Sequence, residues 1–145
     1  MNEIGRSPYA IEMDFDQRAG TGVCSVTLRR TSQPRDRDLL LTEGVFQVIE
    51  FLVESSSSLT DGRAIVDVRL GDDAGVGALP GALAFTEAVR GLIQSLTLET
   101  DPHSPATNLI VSTESQAAAR DRTIAYLTSP GGGFSRGASY DLRSN

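Results

Sequence analysis

A chain of 145 residues is long enough for one domain with a single sizeable core, but short for the two halves of a complete dinucleotide-binding fold. Its composition, 39% hydrophobic and 22% charged, is that of an ordinary globular protein, and a net charge of -6 argues against a nucleic-acid partner, which needs clustered Lys or Arg to displace counterions. No run approaches the ~20 apolar residues of a membrane span, and the polar start MNEIGRSPY lacks a signal peptide's apolar core, so a cytoplasmic protein without membrane contact is expected.

Residues 9 to 16, YAIEMDFD, place Tyr9, Ile11, Met13 and Phe15 at alternate positions, the period of a half-buried strand. Residues 22 to 30 repeat the alternation through Cys24, Val26 and Leu28. Between them Gly20 can supply a positive φ, so the pair predicts an antiparallel hairpin. Cys24, the single cysteine, has no internal disulfide partner and is expected in the core. The Gly20-Thr21-Gly22 triplet is not a dinucleotide fingerprint, because Ser25 stands where a third glycine is needed and a strand follows instead of a helix.

TSQPRDRD, residues 31 to 38, reads as a polar connector broken at Pro34. The division expected is a hairpin and connector over 1–38 and one α/β unit over 39–145, together a single domain. Leu39 to Leu41 and then Val45, Phe46, Val48, Ile49, Phe51, Leu52 and Val53 predict a helix apolar on more than one face. The serine run 55–58 predicts its exit into a loop. Ala64 to Val68 predicts a strand covered on both faces. After the glycine-rich stretch GDDAGVGALPGA comes an amphipathic helix with Phe85, Ala88, Val89, Leu92, Ile93 and Leu96 at steps of three and four, stopped by Asp101-Pro102. NLIV, residues 108 to 111, predicts a buried strand. Residues 116 to 128 predict a third helix with Ile124 and Leu127 inward, the triplet Gly131 to Gly133 a mobile loop, and residues 137 to 142 a last strand.

Few side chains offer chemistry. Asp67, Asp72, Asp73, Glu87, His103 and Glu114 are the candidates. Two adjacent carboxylates, Asp72 and Asp73, fall short of a calcium loop's alternating ligands, and a lone His103 cannot complete a Ser-His-Asp arrangement or a zinc site. Neither a metal nor a cofactor is expected.

From about Leu40 onward, the phrases EGVFQVIEFL, GRAIVDVRL, EAVRGLIQSLTLE, TNLIVS and IAYLTSPGGGFSRGASYDL, in that order and spacing, resemble the C-terminal portion of a short-chain dehydrogenase/reductase. The resemblance implies a truncated Rossmann-like, mainly parallel sheet with flanking helices, preceded by the antiparallel hairpin. It also implies where catalytic groups should stand: a serine at the end of the strand, near Arg69 or Leu70, a tyrosine at Ala82, a lysine at Thr86 and a helix-borne asparagine near Leu41. All four positions are vacated, since a methyl group transfers no proton and a neutral threonine supplies no fixed charge. The family's Pro-Gly pair after the next strand is replaced by Ser112-Thr113, and its glycine-rich cofactor half by a hairpin of roughly forty residues.

What the resemblance retains is the pair of helices by which family members contact a neighbouring subunit. Phe46, Ile49 and Val53 on the first, and Phe85, Val89, Leu92 and Ile93 on the second, are therefore the expected interface. The expected function is non-catalytic association, as a homodimer or as stabilising partner of a full-length reductase. The alternative is a small enzyme or metabolite-binding protein with a remodelled pocket above Leu70 and Gly75 to Gly81 and no nicotinamide cofactor.

Overall fold

The computed structural model describes residues 6–18, 20–36, 43–58, 62–71, 80–98 and 106–144. They form an α/β layer structure with a five-stranded sheet in sequential order, β1 (Arg6–Arg18), β2 (Thr21–Asp36), β3 (Arg63–Leu70), β4 (Ala106–Thr113) and β5 (Ser139–Asp141). β1 and β2 are antiparallel; β2, β3, β4 and β5 run parallel. The helices α1 (Gly44–Ser58), α2 (Pro80–Leu98) and α3 (Ala117–Thr128) connect the parallel strands. This is the expected truncated Rossmann-like sheet carrying an N-terminal hairpin.

The hairpin forms because Gly20, at φ 85°, takes the left-handed backbone that a short turn between Arg18 and Thr21 requires. Its alternation sets the register: Ile11 pairs with Leu28, Met13 with Val26 and Phe15 with Cys24, all on one face. The opposite face of β1 exposes Glu12, Asp14 and Asp16. That polar face needs no helical cover, so the hairpin can stand where a complete fold would place a further layer.

Alternation along the central strands divides the core in two. Ala64, Val66, Val68 and Leu70 of β3 and Leu109 and Val111 of β4 pack under α1 and α2, with Val48, Phe51, Leu52, Phe85, Val89 and Ile93. Ile65 and Ile110 point the other way and pack under α3 with Val23, Ile124 and Leu127. All three crossovers step in the same direction across the sheet. The β4–α3–β5 crossover, with its helix on the opposite face, therefore has the opposite hand to the first two, a departure from the near-uniform handedness of such connections.

Three expectations need correction. The segment expected as connector continues β2 through Pro34 to Asp36; here β2 extends past its pairing with β3, which ends at Leu28, so the missing proline N–H breaks no parallel ladder. The serine run belongs to α1, which continues to Ser58. The glycine triplet is not a loose loop but part of a 3-10 turn, Gly131–Phe134, tied back by Gly132 N to Ser129 O at 3.1 Å. A Cβ at Gly132 would meet the Tyr126 carbonyl oxygen at 2.2 Å, so only glycine lets the chain fold back this tightly on the end of α3.

Candidate functional site

The positions expected to be vacated can be followed into the structure, except Leu41, which lies outside the described residues. Leu70 ends β3 and is 1% exposed; Ala82, in the first turns of α2, is also 1% exposed, and both belong to the same apolar cluster. Thr86 is buried one turn on, and its Oγ1 donates to the Ala82 carbonyl at 2.9 Å. Its hydroxyl is thus engaged within its own helix. Leu70 and Ala82 share one hydrocarbon cluster, and neither side chain can transfer a proton. Asp72, Asp73, His103 and the stretch from Gly75 to Leu79 lie outside the described residues.

The remaining candidates are engaged elsewhere. Glu87 is exposed and paired with Arg90 on α2. Glu114 accepts from Arg29 Nε at 2.5 Å, and Arg29 Nη1 reaches Glu12 at 3.1 Å, so one guanidinium ties β1 and β2 to the end of β4. Cys24 is buried, and burial first, with the Asp67 charge second, pushes its thiol up to about 12, where no thiolate forms at neutral pH. Among the described residues no group of three or more His, Cys, Asp or Glu side chains could hold a metal ion.

The most concentrated polar chemistry lies under α3. The Asp67 side chain is fully buried; its Oδ2 accepts from Arg69 Nε at 2.8 Å and from Ser25 Oγ at 3.4 Å, and lies 3.9 Å from Arg120 Nε. Arg69 also donates to Ser25 Oγ at 3.2 Å. Arg120, on α3, donates through Nη1 to Ser112 Oγ at 3.1 Å and to the Thr113 carbonyl at 3.2 Å. Asp67 Oδ1 and Arg120 Nε have no hydrogen-bond partner. Burial raises the Asp67 carboxyl above its ordinary range; the Arg69 hydrogen bond, the charges of Arg69 and Arg120 and the Ser25 hydrogen bond oppose that rise without cancelling it.

A carboxyl raised by burial beside two guanidiniums is a pattern also found at active sites. Here the carboxyl itself is out of solvent: Asp67 and Ser112 are at 0% exposure and Arg120 at 7%. The cluster holds α3 against the sheet. Arg120→Ala is expected to cost about 3 kcal/mol of stability by leaving Asp67 with one cation fewer, whereas Asp67→Leu combined with Arg120→Met should recover most of that loss, because well-packed hydrocarbon replaces a buried ion pair at little cost. Urea unfolding of the three variants measures it; a double variant weaker than either single change would contradict the account.

The pH dependence has a definite sign. A carboxyl whose folded pKa lies above its unfolded value contributes stability that is fully present below that unfolded value, near 3.8, and is lost as pH rises through the folded value. The stability of the protein relative to its Asp67→Asn variant should therefore fall as pH rises from about 3.8 upward. A difference that is flat or rises over that range would be inconsistent with a raised Asp67.

The third feature is the outer surface of α1. Phe46, Ile49 and Val53 are 60%, 37% and 64% exposed, and their spacing of three and four places them on one stripe. Phe51, by contrast, is buried and stacks against the half-exposed Phe15 ring of β1, at 5.9 Å between centroids. The expected interface on α2 must be corrected. Phe85, Val89 and Ile93 are at 0%, 0% and 1% exposure, inside the chain's own core, and Leu92 is half-buried against the same cluster. The hairpin supplies what the sequence reading did not count: Ile11 and Met13 of β1 and Cys24, Val26 and Leu28 of β2 widen the sheet enough to cover this face. The outward face of α2 carries Ala84, Glu87, Ala88 and Gly91 instead.

One contributor, Arg120, was not legible in the sequence: it sits on a helix of weak amphipathicity and its partner Asp67 is far away in sequence, so no local signal joins them. A compositional signal was available: all 13 basic residues are arginine, and the chain contains no lysine at any position. No protein-family model matches the chain, and comparisons with curated proteins and with solved structures find no match. No helix among the described residues is long and apolar enough to cross a membrane.

Proposed function

We propose that this protein works by association, as a non-catalytic counterpart of short-chain dehydrogenases/reductases that forms a homodimer or stabilises a full-length member of that family. The observation that carries the reading is the exposed stripe of Phe46, Ile49 and Val53 on α1, on the outside of the α1–α2 layer. Large apolar side chains aligned on one helix face cost solvation in isolation and are the mark of a contact surface. The order β2, α1, β3, α2, β4, α3, β5 is that of the resembled family's C-terminal portion, which supports the choice of partner class.

The same reading accounts for the missing chemistry. Leu70, Ala82 and the internally bonded Thr86 stand where the family uses serine, tyrosine and lysine. A subunit of this kind acts by mass action: by binding only the native form of its partner it stabilises the active assembly. The test is the size of the protein and of its complexes, by size exclusion with light scattering, for the unmodified chain and for Phe46→Asp. Loss of association in the variant supports the reading; an unchanged assembly would place the contact elsewhere.

A further inference from the structure

The cluster under α3 contains an ion pair that does not close. Asp67 Oδ2 and Arg120 Nε lie 3.9 Å apart, whereas a direct charge-assisted bond brings such atoms to about 2.8 Å. The same two side chains carry Asp67 Oδ1 and Arg120 Nε, both buried and both without a hydrogen-bond partner. Unpaired polar atoms at this depth are rare in native proteins, because each forfeits its hydration.

Neither side chain can close the distance without giving up bonds it already makes. Asp67 Oδ2 is held by Arg69 Nε at 2.8 Å and by Ser25 Oγ at 3.4 Å, so turning the carboxylate to offer Oδ1 to Arg120 breaks both contacts. Arg120 is held through Nη1, which donates to Ser112 Oγ at 3.1 Å and to the Thr113 carbonyl at 3.2 Å. A guanidinium is planar and moves as a unit, so drawing Nε inward pulls Nη1 away from β4.

The two unpaired atoms specify what joins them. An ionised carboxylate oxygen only accepts, and an arginine Nε only donates, so the joining group must donate to the first and accept from the second. A metal cation offers no acceptor to an N–H and is repelled by Arg69 and Arg120; a halide offers no proton to Oδ1. A water molecule does both, and it is small enough to sit among side chains that are themselves buried. We infer that one buried water accepts from Arg120 Nε and donates to Asp67 Oδ1, so that the contact between β3 and α3 is water-mediated at its centre.

A high-resolution crystal structure of the intact protein tests this directly. It should show a density peak within about 3.2 Å of both Asp67 Oδ1 and Arg120 Nε. In solution, a nitrogen-edited rotating-frame Overhauser spectrum should show a cross-peak from the Arg120 Nε proton at the water frequency. Asp67→Glu, whose extra methylene carries the carboxylate toward α3, should displace the water and lose that cross-peak, with circular dichroism verifying the fold. A native crystal structure with no peak, or with Arg120 Nε bonded directly to Asp67, would overturn the inference. So would a peak that bromide replaces, which would identify an anion, or a cross-peak that Asp67→Glu leaves unchanged. If the glutamate variant does not fold, the native crystal structure decides by itself.

Discussion

Phe85→Ala is expected to lower the unfolding free energy by about 3–5 kcal/mol, by an amount independent of protein concentration. Among the described residues Phe85 is the largest fully buried side chain, at 0% exposure, and it lies in the cluster that joins α2 to β3 and β4. Removing its ring takes away buried hydrocarbon and leaves a cavity between helix and sheet, two losses that add. The concentration term is the informative part. A residue buried within one chain affects unfolding equally at all concentrations, whereas a residue buried between chains makes the midpoint rise with concentration. Urea unfolding at two concentrations tenfold apart separates the cases, and a midpoint shift specific to the variant would return Phe85 to an interface. Val89 and Ile93 belong to the same argument, since aspartate at either position would bury an unpaired charge and unfold the chain before any contact could be judged.

Phe46→Asp should behave in the opposite way. At 60% exposure the Phe46 side chain contributes little to the fold, so stability should change by no more than about 0.5 kcal/mol. Association, by contrast, should weaken by about 2 kcal/mol or more, the loss typical of a central aromatic contact, with a further penalty for placing a carboxylate in an apolar interface already bordered by Glu50. Thermal unfolding and light scattering on the same preparation give both numbers. A variant that unfolds as readily as Phe85→Ala would show that Phe46 belongs to the core, and an unaltered assembly would remove α1 from the contact.

The contrast between these two residues marks what the sequence could disclose. Steps of three and four in α2 correctly group Phe85, Val89 and Ile93 on one face, because helical periodicity reports which residues point together. Periodicity does not report what lies opposite. The covering surface comes from Cys24, Val26 and Leu28 on a strand far earlier in the chain, and from Ile11 and Met13 beside it, a non-local arrangement set by strand pairing. On α1 the apolar positions outnumber those one face can hold, so some had to remain outside. The spacing shows that surplus, and the structure assigns it to Phe46, Ile49 and Val53 while Val48, Phe51 and Leu52 go inward.

Polar structure was less legible for the same reason. The ion pair between Asp67 and Arg120 joins a strand to a helix across the sheet layer; the apolar run around Asp67 marks its strand as buried, but nothing local marks Arg120 or joins the two. The glycine triplet could be read as freedom or as crowding. The approach of Gly132 to the Tyr126 carbonyl shows that crowding decides, since a side chain there would clash with backbone atoms. The strand-helix-strand order and the hairpin were legible throughout, because alternation, a turn glycine and long periodic segments each reinforce one another.

The most direct test of association as this protein's function is co-expression with full-length short-chain reductases of its own genome, followed by size exclusion on a tag carried by the small chain. The account predicts that one such reductase co-elutes in a fixed ratio with the unmodified protein and is lost with Phe46→Asp, the variant itself remaining folded. A protein that elutes as a monomer at micromolar concentration and accompanies none of them would contradict it.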